Sequence, residues 1–165
     1  MFQFNIKGFD VFIDDEDYYL FQKATWKIVD HSRNGHIYQY VQGSSQEYKG
    51  LRLHRVIMDV SDPFIFVDHW NHNTLDNRKE NLRVCTPSHN AANKMIQSGG
   101  TSIYKGVSKC FANKNQNIYW RASIKVNNRF KGKLFPFTDE GEIEAAKWYD
   151  EMAKLHFGEF ALTNF

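Results

Sequence analysis

The chain has no apolar run of about 18 residues, the length a membrane-spanning helix requires. Its opening residues, MFQFNIKGFDVFIDDEDYY, lack a basic start followed by an apolar stretch, so no secretory signal is expected. Cysteine is scarce. Cys85 and Cys110 form no CxxC pair, so neither a disulfide framework nor a structural zinc site is expected. Both thiols read as buried structural residues, in keeping with a reducing, cytoplasmic setting. No internal repeat or low-complexity tract is visible. The most telling absence is local: residues 98–138 contain no acid but eight basic groups, Lys105, Lys109, Lys114, Arg121, Lys125, Arg129, Lys131 and Lys133. A run of that charge in a chain of net charge +2 is the footprint of a polyanion-binding face.

What is present supports a packed core. Hydrophobic content is 42% and aromatic content 16%, and 165 residues allow one domain or two small ones. Residues 1–50 alternate β-type runs (2–6, 10–13, 26–29, 36–42) with turn signals, among them Asn34-Gly35, a strong hairpin cue. A small antiparallel sheet is expected there, with a short helix over 18–21 opened by the acids at 14–17. Residues 51–59 (LRLHRVIMD) read as a strand turning into a helix. Residues 64–67 (FIFV) and 82–85 (LRVC) read as strands around an Asn-rich loop, and Thr86-Pro87-Ser88 as the start of a helix over 89–96. Strand, loop, strand, helix make a ββα unit.

Ser98-Gly99-Gly100-Thr101-Ser102 reads as a linker between domains at 1–97 and 103–165. Beyond it, strands are expected at 102–109, 119–126 and 129–137, the last two joined by Asn127-Asn128. A helix follows, opened by a capping box from Asp139 to Glu142. That helix would cover one face of a three-stranded sheet and leave its basic face open. The fold class expected is α+β.

The segment VDHWNHNTLDNRKENLRVCTPSHNAANK (67–94) carries the chemistry. Asp68 and His69 end an apolar run, and Asn81 and Asn90 follow. A carboxylate, an imidazole and amide oxygens are the groups that hold a hard divalent ion and activate a water against a phosphodiester. Neighbours on a strand point to opposite sides, so Asp68 and His69 share a site only if the strand ends or bends there. Asn81 suits a loop-holding role, by bonding backbone or orienting His69. His89 is a rival to Asn90 as ligand, His72 reads as a loop histidine, and His54 as packing or support. An EF-hand reading fails, because Trp70 occupies the third loop position.

Taken together, LHR (53–55), VDH (67–69), LDNRKENLRVCT (75–86) and the Asn90/Asn93 pair resemble the HNH homing endonucleases of the ββα-metal type. The segment from SIYKGV through WRASI to AAKWYDEMAKLHFGEFALTNF (102–165) resembles the ethylene-response-factor-type (APETALA-type) DNA-binding domain often attached to them. The resemblance implies site-directed nicking or hydrolysis of double-stranded DNA inside a bacterial or phage-infected cell. It makes His69 the general base, with Asn81 catalytic as the central Asn. Asp68 and Asn90 become ligands of a divalent metal, Mg²⁺ first and Mn²⁺ second. Arg55 and Arg83 become phosphate contacts. From the C-terminal module it makes Lys105, Lys109, Arg121, Lys125, Arg129 and Lys131 candidate DNA contacts, of which strand alternation permits only some. The family usually has Gly where this chain has His72. Monomer and homodimer both stay open. So does a DNA-binding regulator with a vestigial nuclease site, and more remotely an RNA-binding or structural role.

Overall fold

The computed structural model describes residues 1–33, 36–96, 99–112 and 117–165, and forms two compact units, Met1–Pro87 and Ser88–Phe165. The Asn34-Gly35 turn, Ser98 of the expected linker and Lys114 lie outside the described residues. Within them, no helix is long and apolar enough to cross a membrane.

The first unit is built from hairpins. Strands β1 (Phe2–Ile6) and β2 (Phe9–Ile13) pair antiparallel. They turn at Lys7 and Gly8, whose φ values of 51° and 91° suit the tight turns that match strand twist. The acids form a short 3-10 turn at Asp15–Asp17 ahead of α1 (Tyr19–Lys23). Strands β3 (Trp26–Arg33) and β4 (His36–Gly43) make a second antiparallel pair, so the expected single N-terminal sheet is two separate two-stranded sheets. Residues 53–57 are wholly helical, as α2 (Leu53–Ile57), with Leu53, His54 and Ile57 turned inward. Next come β5 (Phe66–His69) and β6 (Leu82–Cys85), antiparallel, then α3 (Pro87–Ala92). This is the expected ββα order, with a helix that stops four residues short of Ile96. Val11, Ile13, Leu20, Trp26, Val41, Leu53, Ile57, Val67 and Leu82 form one core within the unit Met1–Pro87.

In the second unit, β7 (Val107–Ala112), β8 (Asn117–Val126) and β9 (Arg129–Pro136) form an antiparallel sheet. Helix α4 (Asp139–Phe157) packs on it through Val107, Trp120, Ala122 and Phe135 against Ala145 and Ala146. The α+β class is as expected. Asn127 and Asn128 have φ values of 49° and 62°, the left-handed pair a two-residue hairpin turn needs.

Two details differ from expectation. The first strand starts at Val107, not Ser102. Gly106 sits at φ 75° with its α-carbon against the Tyr149 ring, where any Cβ would come within 2.0 Å, so the chain turns there instead of extending. The cap of α4 is Thr138, whose hydroxyl accepts the Gly141 N–H at 3.0 Å. Asp139 lies inside the first turn, where its charge meets the positive end of the helix.

The division at Pro87–Ser88 groups the helix bearing Asn90 with the C-terminal unit. Thr101 and Ser102 are bonded into that unit: the Thr101 hydroxyl accepts the Lys109 N–H and the Ser102 hydroxyl the Tyr104 N–H. At its far end, Asp150 is buried and accepts four hydrogen bonds from Asn164 and Phe165, at 2.9–3.0 Å.

Candidate active site

Strand β5 delivers Asp68 and His69 to opposite sides. Asp68 stands directly across the ladder from Arg83, whose guanidinium donates to its carboxylate at 2.8 Å. His69 turns toward the core side. Its Nε2 lies 3.5 Å from Asn77 Oδ1, and its ring meets that of His54 at a 73° angle. Tyr40 flanks both imidazoles, with ring centres 5.7 Å from His54 and 6.4 Å from His69. The strand neither ends nor bends before His69, because Val67 and Leu82, which share the His69 face, are held in the core and keep the register regular.

Burial dominates the electrostatics. It pushes both imidazoles below their ordinary value, since a charged ring would lose its hydration. For His54 the neighbouring His69 and the Arg52 and Arg55 cations act in the same direction. For His69 the Asn77 amide and the Asp68 and Asp76 carboxylates oppose the shift in part.

The loop between β5 and β6 is held by its own polar side chains. Asn81 Oδ1 accepts the Asn71 N–H at 2.9 Å, its Nδ2 donates to the Asp76 carbonyl at 2.8 Å, and its own carbonyl accepts the Trp70 N–H at 2.9 Å. Asn71 also donates to the Asp76 carboxylate, and Arg78 grips that carboxylate with two nitrogens at 2.7 and 2.8 Å, which holds Asp76 below the usual carboxylate range. Asn77 is fully buried, its Nδ2 bound to the Leu75 carbonyl, so its Oδ1 is the end presented to His69. His72 adopts φ 63°, the left-handed conformation that favours glycine.

Other expected site residues stand elsewhere. Arg55 donates to the carbonyls of Ile65 and Asp62, both at 2.7 Å, so its guanidinium clamps the loop before β5 and is already engaged. Asn90, on α3, is half-buried within the second unit. In that unit His89 stacks on Phe160 with ring centres 4.5 Å apart. The carbonyl of Ala92, closing α3, accepts the Leu162 N–H and the Lys105 ammonium. Lys105 is thus turned inward, and burial lowers its pKa to about 8.

Register sorts the remaining cations. Arg121 and Lys125 occupy the sheet face away from α4, beside Phe130 and Leu134. Lys109, Lys131 and Arg129 alternate onto the helix side and reach the rim: Lys109 lies over the Phe137 ring at 5.0 Å, and Lys131 meets His156 at 3.1 Å. Asn77 was not singled out from the sequence, since nothing local separates it from the other loop asparagines. His54 reads from the sequence as packing or support, and its ring contact with His69 supplies the neighbour that reading left unnamed.

Among the described residues no cluster of three or more His, Cys, Asp or Glu side chains stands ready to hold an ion. The donor that Asp68 supplies is a single hard carboxylate oxygen. Such an oxygen is the kind of donor that a hard divalent ion takes.

A family model described as an HNH endonuclease matches residues 62–92. An uncharacterised HNH endonuclease of Acanthamoeba polyphaga mimivirus is 31% identical over 159 residues, covering 96% of this chain and 76% of the relative. Protein 3.8 of Escherichia phage T7 is 28% identical over 121 residues, covering 70% of this chain and 93% of its own length. No solved structure matches.

Proposed function

Since the chain belongs to the HNH endonuclease family, a group that is in general divalent-metal dependent, we propose that it is a site-directed DNA endonuclease of the homing type that nicks or hydrolyses double-stranded DNA. The observation that carries this reading is buried His69, its ring held between Asn77 and His54, at the end of the strand that presents the Asp68 carboxylate on its other face. A neutral imidazole takes a proton from water, and burial keeps His69 unprotonated near neutral pH, ready as general base. Asn77 and His54 fix its ring from two sides. Asn81 acts indirectly, keeping the loop that follows His69 in one shape.

Asp68 is the oxygen donor of this unit to the metal, and family likeness assigns Asn90 a second donor's role. When bound, a Mg²⁺-type ion, with Mn²⁺ as substitute, neutralises the phosphate and supports the departing 3′ oxygen. Arg83, paired with Asp68, is read as the phosphate contact, and Arg55 as the clamp on the loop before β5. The C-terminal unit is read as an ethylene-response-factor-type DNA-binding module. Arg121 and Lys125 on its open face are its first DNA contacts, with Lys109, Arg129 and Lys131 at the rim.

The test is relaxation of a supercoiled plasmid with Mg²⁺ and with EDTA, by the wild type and by His69→Ala. Nicking that needs the metal and is lost in His69→Ala, with DNA binding kept, supports the reading. Cutting by His69→Ala sinks the base assignment, and absence of nicking with every divalent ion sinks the enzyme.

A further inference from the structure

Trp70 immediately follows the base and is 61% exposed, an unusual cost for the largest apolar side chain. Its backbone is held: the bond from its N–H to the Asn81 carbonyl continues the β5–β6 ladder one residue past the strand's end. Alternation therefore puts Trp70 on the side of Asp68 and Arg83. The Arg83 guanidinium carbon lies 5.8 Å from the indole centre while the same guanidinium binds Asp68. Carboxylate, guanidinium and indole thus form one row, with the indole outermost.

An apolar protein partner would have to bury that row's charges to cover the indole. A nucleotide would not, because it offers a flat π-face and an anion within one repeat. Base on aromatic and phosphate on guanidinium is the pairing single strands and opened duplexes accept. We propose that Trp70 stacks on a nucleobase flanking the phosphate that is cut, locally opening the duplex beside the site. This rests on the nuclease reading above and deepens it: the substrate is held by a base contact inside the catalytic unit, in addition to any contact from the C-terminal sheet.

The experiment measures duplex binding by fluorescence anisotropy without divalent ion, and nicking with Mg²⁺, for the full chain, Trp70→Ala and Trp70→Phe. Each is assayed on intact duplex and on duplexes carrying one abasic sugar at successive positions around the nick. Trp70→Ala is expected to bind intact duplex roughly tenfold more weakly and to raise KM similarly with kcat retained, and Trp70→Phe to recover most of the loss. One abasic position should weaken the wild type by the same factor and leave Trp70→Ala unaffected, the signature of two groups that touch. Wild-type affinity in Trp70→Ala, or independent penalties at every abasic position, overturns the proposal. If the wild type binds DNA but never nicks it, the nuclease reading fails on its own, and the anisotropy series still decides the contact.

Discussion

The imidazoles of His54 and His69 meet edge to face, their centres 4.9 Å apart, although they come from a helix and a strand on different parts of the chain. His54 is 4% exposed, and its Nδ1 is buried without a hydrogen-bond partner among the described residues. Such an atom costs free energy that a phenylalanine in its place would avoid. The contact is one of shape: it restricts the His69 ring. His54→Ala is expected to lower kcat roughly tenfold or more with KM unchanged, and His54→Phe to retain most of kcat. Steady-state nicking rates of the two variants check this. Equal kcat for His54→Ala and wild type would remove the role.

The same burial predicts acid sensitivity. A histidine whose folded pKa lies well below 6.5 is neutral in the folded chain while the unfolded chain takes up a proton. The fold therefore loses stability as pH falls below about 6.5, and regains it as pH rises through that value. Urea midpoints of wild type and His54→Phe between about pH 7 and pH 5 should diverge toward the acid end, the wild type falling faster and the variant having the shallower slope.

His72 sits at a left-handed backbone position, φ 63°, that favours glycine. Relief of that strain predicts that His72→Gly is neutral to stabilising, by up to about 1 kcal/mol, despite the added freedom of the unfolded chain. Urea unfolding reads it directly, and a loss of more than about 1 kcal/mol would show that the His72 side chain contributes contacts outweighing the strain.

Sheet alternation makes a prediction about salt. Arg121 and Lys125 share the open face, so each one's replacement by alanine should reduce the slope of log affinity against log salt by about 1. Lys105→Met should leave that slope alone, because its ammonium is bound to the Ala92 carbonyl. Anisotropy titrations at several salt concentrations separate the two outcomes.

Lys105 also leaves a mark at alkaline pH. Its folded pKa of about 8 lies below the ordinary 10.5, so between these values the unfolded chain holds a proton that the folded chain has released. Stability rises with pH across that window, as the burden of a buried charge is lifted. Tyr149, pushed up to about 12, acts in the opposite sense only above pH 10. A rise in urea midpoint between about pH 8 and 10 that is absent in Lys105→Met is the expected result.

What could be read in advance followed from local chemistry. Asn127-Asn128 announced a turn because few residue pairs tolerate two left-handed conformations, and the β5–loop–β6–helix order followed from apolar runs broken by asparagines. Thr138 was missed as the cap because Asp139 beside it is an equally good candidate by residue type, and only backbone geometry separates them. The inward turn of Lys105 and the pairing of His54 with His69 arise from contacts between distant segments, which leave no local pattern. Charge counted along 98–138 likewise says nothing of which cations share a face until the register is known.

For anyone producing the protein, the far end of the second unit is the vulnerable one. Asp150 relies on Asn164 and Phe165 for four hydrogen bonds, so loss of those two residues leaves a buried carboxylate with those donors gone. Cleavage between Thr163 and Asn164 would therefore shorten the working lifetime of the unit.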